Sequence, residues 1–191
     1  AVGARYAGPS PSAGAVYVYE RTTGGSNTWA QVRKIEPFDG ANGDEFGFSL
    51  SLRQDDLVVG ARTDDDNGSA SGAAFVYSRN QGGTNIWGFV TKLTPAVPAA
   101  GDEFGHSVSI HSNTIVVGAR LDVQSGVSSG SAYVFERTDS AGTNWTQVKK
   151  LVPSEGMNSD EFGFAVSFSG DTAMIGSRKH DHVGNDAGSV Y

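Results

Sequence analysis

Three pairs of adjacent carboxylates, Asp44-Glu45, Asp102-Glu103 and Asp160-Glu161, each stand directly before a Phe-Gly step in this 191-residue chain. Paired carboxylates serve glycoside hydrolysis and metal binding, so each pair is a candidate for acid–base or metal chemistry. The spacing favours a framework. The pairs recur every 58 residues, in "GDEFGFSLSL", "GDEFGHSVSI" and "SDEFGFAVSF", whereas a catalytic constellation is ordinarily asymmetric and present once. Asp44, Asp102 and Asp160 are therefore expected to hydrogen-bond turn amides through their side chains. The glutamates are expected to meet Arg62, Arg120 and Arg178, which repeat with the same period and are preceded by Arg5. A guanidinium is a planar fork of donors, suited to locking one unit to the next. The other reading, an arginine face that attracts sulfated or carboxylated glycans, sits poorly with a formal net charge of −7.

Other polar residues do not repeat. The loop "TDDDNGSASG" bunches Asp64, Asp65, Asp66 and Asn67, and Asp64 and Asp66 are the candidate calcium ligands, because hard oxygens gather within a few residues. A solvated acidic turn is the competing reading. His180, Asp181 and His182 could attract a transition metal, but no third clear ligand accompanies them, and a plain polar loop is preferred. His106 replaces a phenylalanine and is expected to be a satisfied core histidine, with His111 in a hairpin turn. Asn67-Gly-Ser69 and Asn144-Trp-Thr146 are glycosylation sequons in expected loops. Trp29, Trp87 and Trp145 could form a sugar-stacking surface, although a tryptophan that keeps the period is expected to be packing. Gly-x-Ser-x-Gly, P-loop and His-Glu-x-x-His sequences are all absent, which leaves an enzyme reading little support.

Composition sets the bounds. With 26 Gly, 6 Pro and no Cys, the chain is turn-rich and has neither disulfides nor thiolate chemistry. The acidic balance and the lack of a Lys/Arg cluster exclude a nucleic-acid footprint. No apolar run is long enough for a membrane span, and no signal peptide is visible.

Within each period the pattern is that of strands. Phe46, Phe48, Leu50 and Leu52 alternate with Gly47, Ser49 and Ser51; Phe104, His106, Val108 and Ile110 alternate with Gly105, Ser107 and Ser109. A strand with one Gly/Ser face can be approached closely by another sheet, as an innermost strand must be. The runs 57–61 and 115–119 are apolar on both faces and predict strands covered on both sides. A third strand alternates aromatic and small residues (Tyr17 and Tyr19, Phe75 and Tyr77, Tyr133 and Phe135). A fourth, from Trp29, Trp87 or Trp145, is mixed and predicts a half-solvated edge. The fold class expected is all-β: a propeller-type array of four-stranded antiparallel blades with a repeat of about 58 residues, a partial ring or a segment of a longer repetitive chain. Residues 1–191 form one repeat region, with partial blade 1–43, full blades 44–101 and 102–159, and partial blade 160–191.

Phe-Gly opening the first strand (Phe46-Gly47, Phe104-Gly105, Phe162-Gly163) and Gly-Ala closing the second resemble the FG-GAP repeat of integrin α-subunit propellers and of many extracellular proteins. The resemblance spans essentially the whole chain and implies a β-propeller fold. The chain departs from the pattern twice. The hairpins "LRQDDLV", "HSNTIV" and "SGDTAM" are too short for the Asp-x-Asp-x-Asp-Gly calcium loop of integrin-type repeats. The proline of Gly-Ala-Pro is replaced by Arg5, Arg62 and Arg120, and in the Gly-Ser variant by Arg178. A rigid framework with divergent loops is how binding surfaces are usually made. The expected function is thus a non-catalytic extracellular or cell-surface scaffold for adhesion or assembly, with other proteins or further copies of itself as partners and glycans as further candidates. No cofactor is demanded; calcium is the candidate. The alternative is a carbohydrate-binding or enzymatic propeller with its site at the ring centre. Convergence of Asp64, Asp66, His180 and His182 on one pocket would favour that alternative.

Overall fold

Alternating large and small side chains between Gly-, Asn- and Asp-rich turns give strands throughout. The computed structural model describes residues 1–7, 13–21, 28–123, 127–139, 142–181 and 186–191, and no helix occurs among them. The first sheet contains β1 (Val2–Ala4), β2 (Ala15–Arg21) and β3 (Trp29–Ile35). The second contains β4 (Ser49–Arg53), β5 (Asp56–Ala61), β6 (Ala73–Ser78) and β7 (Gly88–Leu93). The third contains β8 (Phe104–His111), β9 (Thr114–Ala119), β10 (Ser131–Arg137) and β11 (Trp145–Leu151), and the fourth β12 (Phe162–Ser169), β13 (Thr172–Ser177) and β14 (Ser189–Val190). Within each sheet the strands follow sequence order and pair antiparallel. The result is an open, propeller-type array of blades.

Hairpins join the first and second strands of a sheet. Gln54, Ser112 and Gly170 open these turns with φ of 51°, 53° and 59°, the left-handed geometry that matches strand twist in a tight hairpin. The turn is so short that His111 closes β8 instead of lying in the turn as expected. At Phe-Gly the first strand carries a bulge, seen as a register shift between Phe104 and Ser107 and between Phe162 and Ala165. Gly47, Gly105 and Gly163 supply it with φ near 90°, a region that costs glycine little.

The sheets stack with a consistent polarity. The forward face of one sheet carries small residues, and the aromatic backward face of the next packs on it. Val16, Val18 and Ile35 of the first sheet cluster with Phe46, Val59, Phe75 and Tyr77 of the second. Val58, Ala74 and Val76 cluster with Phe104, Val108 and Tyr133 of the third, and Val116 and Ala132 with Phe162 and Ile175 of the fourth. β5 and β9 take part on both sides, which accounts for their doubly apolar sequence.

Candidate functional site

The repeated residues meet at the seams between sheets. Asp44, Asp102 and Asp160 each use Oδ2 to accept the backbone N–H three residues upstream, from Ala41 (2.6 Å), Ala99 (3.1 Å) and Met157 (2.6 Å). That closes the turn leading into the first strand. Burial pushes the Asp44 and Asp102 carboxyls up to about 6. The next residue is strained in every copy: Glu45, Glu103 and Glu161 have φ of 55°, 52° and 57°, a region where a non-glycine residue must be held by its surroundings.

What holds them is an uninterrupted ladder. Arg5 Nη1 lies 3.5 Å from Glu45, whose Oε2 also accepts from Arg62 Nε at 2.8 Å. Arg62 reaches Glu103 at 3.4 Å, and Glu103 accepts from Arg120 through both oxygens, at 2.7 and 3.0 Å. Arg120 reaches Glu161 at 3.3 Å, and Glu161 accepts from Arg178 at 2.8 Å and Lys179 at 2.8 Å. Each inner arginine thus joins the glutamate of its own sheet to that of the next. Burial would raise the Glu45 and Glu161 carboxyls, but the surrounding cations outweigh it and hold both below the ordinary range. Beside the ladder the rings of Phe48, His106 and Phe164 stack at 5.0 and 4.8 Å, with the guanidinium of Arg62 over Phe48 and that of Arg178 over Phe164. His106 is buried and hydrogen-bonded through Nδ1 to the Phe164 carbonyl at 3.1 Å. Burial, followed by the Arg120 charge, lowers it to about 4.

Beneath the ladder the backbones touch. Phe46, Phe104 and Phe162 form parallel bridges with Gly14, Gly72 and Gly130 of the preceding sheet. Their N–H groups donate to the carbonyls of Ala13, Ser71 and Ser129 at 2.9, 3.1 and 2.8 Å. Gly60 and Gly118 lie under the carbonyls of Gly105 and Gly163, where a Cβ would penetrate the oxygen. Ser49 and Ser107 donate to those same carbonyls at 2.8 and 2.7 Å, and Ser51 and Ser109 accept the N–H of Ile110 and Phe168 at 3.0 Å.

The non-repeating residues stay apart. Asp64 and Asp66 meet the Lys92 ammonium at 2.8 and 2.5 Å, with Asp39 joining at 3.0 Å. Burial would lower this lysine, yet the three carboxylates raise it. Lys150 repeats the device on Asp122 at 2.9 Å, with Tyr133 Oη on the same carboxylate. Sequence reasoning missed it, although Lys34, Lys92 and Lys150 keep the 58-residue period and Asp64 and Asp122 share it. Among the described residues no group of three or more His, Asp or Glu is arranged to hold a metal ion. His180, two sheets along from Asp64, is buried beside Ser189 Oγ at 3.1 Å; His182 lies outside the described residues. The side chain of Asn67 is exposed in its turn, while Asn144 Nδ2 donates to Asp139 at 3.0 Å. The tryptophans are not equivalent: Trp29 is exposed, Trp145 half-buried and Trp87 buried.

A family model for the FG-GAP repeat matches residues 29–77, 87–135 and 145–191. The chain belongs to the FG-GAP repeat family. Among curated proteins none matches it. The three matched units share the seam just described, so the Phe-Gly and Gly-Ala signatures of an FG-GAP repeat are here the two halves of one contact: the Gly of Gly-Ala lies under the carbonyl of the next Phe-Gly. FG-GAP repeats build integrin-like propeller-type domains and are generally non-enzymatic. Among the described residues no helix is long and apolar enough to cross a membrane.

Proposed function

We propose that this FG-GAP chain is a non-catalytic extracellular scaffold that meets other proteins or further copies of itself through the loops between the second and third strands of each sheet. The observation that carries the reading is the use of the repeated polar residues. Asp, Glu, Arg and Ser of each unit are engaged in turn, ladder and seam, so the recurring carboxylate pairs serve the framework. The divergent loops leave from the ladder, since each arginine directly follows the second strand. Their stems are fixed while their sequences vary, and that combination suits recognition. The FG-GAP family is typical of extracellular proteins, and both sequons fit that setting.

Beads coated with the protein test the reading. Clustering of the beads is expected, and it should be lost when residues 63–71 are replaced by the sequence of residues 121–129, a segment of equal length. The exchange keeps an aspartate for Lys92, because Asp122 holds the place of Asp64, so the melting temperature should not change. Unchanged clustering after the exchange, or turnover of ester, glycoside or phosphoester substrates above background, would contradict the proposal.

A carbohydrate-binding reading has one observation in its favour. The outer strands of adjacent sheets enclose two equivalent grooves, one lined by Thr91, Lys92, Trp145 and Gln147 and the other by Arg33, Lys34, Glu36 and Trp87. Quenching of tryptophan fluorescence by soluble glycans would support it, and an unchanged spectrum would dismiss it.

A further inference from the structure

The forward face of the fourth sheet displays the pattern of the seams without its complement. Positions that the following sheet covers elsewhere are open here. Val58 and Val116 are fully buried, but Met174 in the same place is 55% exposed; Ala74 and Ala132 are fully buried, but Val190 is 73% exposed. A groove of about 550 Å³ crosses this face, lined by Phe164, Gly176, Ser177, Arg178, Gly188 and Val190.

Each part of the groove has a counterpart whose partner is visible inside the molecule. Gly176 stands where Gly60 and Gly118 lie under the carbonyls of Gly105 and Gly163, yet a Cβ on Gly176 would meet nothing nearer than 3.6 Å. Gly188 stands where Gly72 and Gly130 bridge Phe104 and Phe162. The Ala187 carbonyl stands where those of Ser71 and Ser129 accept the phenylalanine N–H. Ser167 replaces Ser51 and Ser109, which accept an N–H from the next sheet. Arg178 replaces Arg62 and Arg120, each of which spans two glutamates; its side chain is 47% exposed against 21% and 17%. Every one of those partners belongs to one kind of segment, the first strand of the succeeding unit and the turn before it.

We propose that the forward face of the fourth sheet is a docking site for an extended acidic Phe-Gly strand, the first strand of a further FG-GAP unit. Its glycine carbonyl seats over Gly176, its phenylalanine N–H donates to the Ala187 carbonyl, and its glutamate completes Arg178. Three internal seams with the same geometry define this occupant. A cation on the groove complements the two carboxylates that the strand carries, and the small-residue floor admits a backbone at a distance that any side chain would prevent.

Fluorescence anisotropy of a labelled peptide with the sequence of residues 101–112, GDEFGHSVSIHS, titrated with the 191-residue protein, tests the proposal. Saturable binding is expected, weakened about tenfold or more by Phe104→Ala or Gly105→Val in the peptide. Gly176→Ala in the protein should weaken binding by as much, and it has room for its methyl, so the melting temperature should hold. Glu103→Gln in the peptide should weaken binding several-fold and reduce its sensitivity to salt. Absence of saturable binding overturns the proposal. So does binding indifferent to Gly176→Ala, which would place the peptide elsewhere, for example on the free edge of β1. Sedimentation showing two copies joined through this face, with the peptide excluded, would also overturn it. The loop exchange on beads leaves this face unaltered, so the scaffold reading and the docking site fail separately.

Discussion

Glu103 holds Arg62 and Arg120 at once from a left-handed backbone that glutamate would not choose on its own. The ion pairs give the strain its purpose, and their burial gives them weight. Arg120→Ala leaves Glu103 and Glu161 facing each other across a seam with one cation fewer, and a loss of about 2–3 kcal/mol is expected in urea unfolding. Arg178→Ala removes an exposed guanidinium from the end of the ladder and should cost less than about 1 kcal/mol. Acidification separates two neighbours of opposite sign. His106 titrates at about 4 when folded and near 6.5 when unfolded, so the unfolded chain takes its proton first as pH falls. Wild type should therefore lose about 2–3 kcal/mol relative to His106→Phe between pH 7 and pH 4. Phenylalanine fits there, because Phe48 and Phe164 occupy the equivalent places in the stack. Asp102 titrates at about 6 when folded and near 3.8 when unfolded, so the folded chain takes that proton first. Asp102→Asn, which can still accept the Ala99 N–H, should be at least as stable as wild type at pH 7 and should lose that advantage as pH falls from 6 towards 4. The ammonium of Lys92 already occupies the space between Asp64, Asp66 and Asp39, so millimolar calcium should leave the melting temperature unchanged. A rise of several degrees would show that the cluster takes the ion.

At the scale of elements, the strands were legible because each has a distinct pattern imposed by its neighbours. β5 and β9 are apolar on both faces since a sheet covers each face, and β6 and β10 alternate because their small side meets the next sheet's aromatic side. The Gly/Ser face of β4 and β8 pointed to close approach, and Ser49 and Ser107 lie in that contact. Less legible was the bulge at Phe-Gly, since simple alternation continues through it. The bulge turns Phe48, His106 and Phe164 out of the inter-sheet clusters into a stack of their own, so His106 is buried in a different place from Phe104 and Val108. The loop Asp64-Asp65-Asp66 looked self-contained in sequence, and its partner Lys92 lies on a strand 28 residues beyond Asp64. Local composition could not reveal that pairing, although the shared period of lysine and aspartate could.

For the whole molecule, polarity is the consequence that matters most. Each sheet offers small residues forward and aromatic residues backward, so the array can extend in one direction by repeating a single contact. The same physics makes the inner glycines intolerant and the outermost one permissive. Gly118 has ordinary backbone angles, so alanine there is opposed by contact alone, with the Gly163 carbonyl and the Ser107 hydroxyl in its way. Gly176 has the same neighbours in sequence and open space in front of it. Thermal unfolding of the two alanine variants is the most direct test of stacked, equivalent blades. Gly118→Ala should cost about 3 kcal/mol and lower Tm by about 6–10 °C, while Gly176→Ala leaves Tm at the wild-type value. Equal effects at the two positions, or a tolerated Gly118→Ala, would contradict the account.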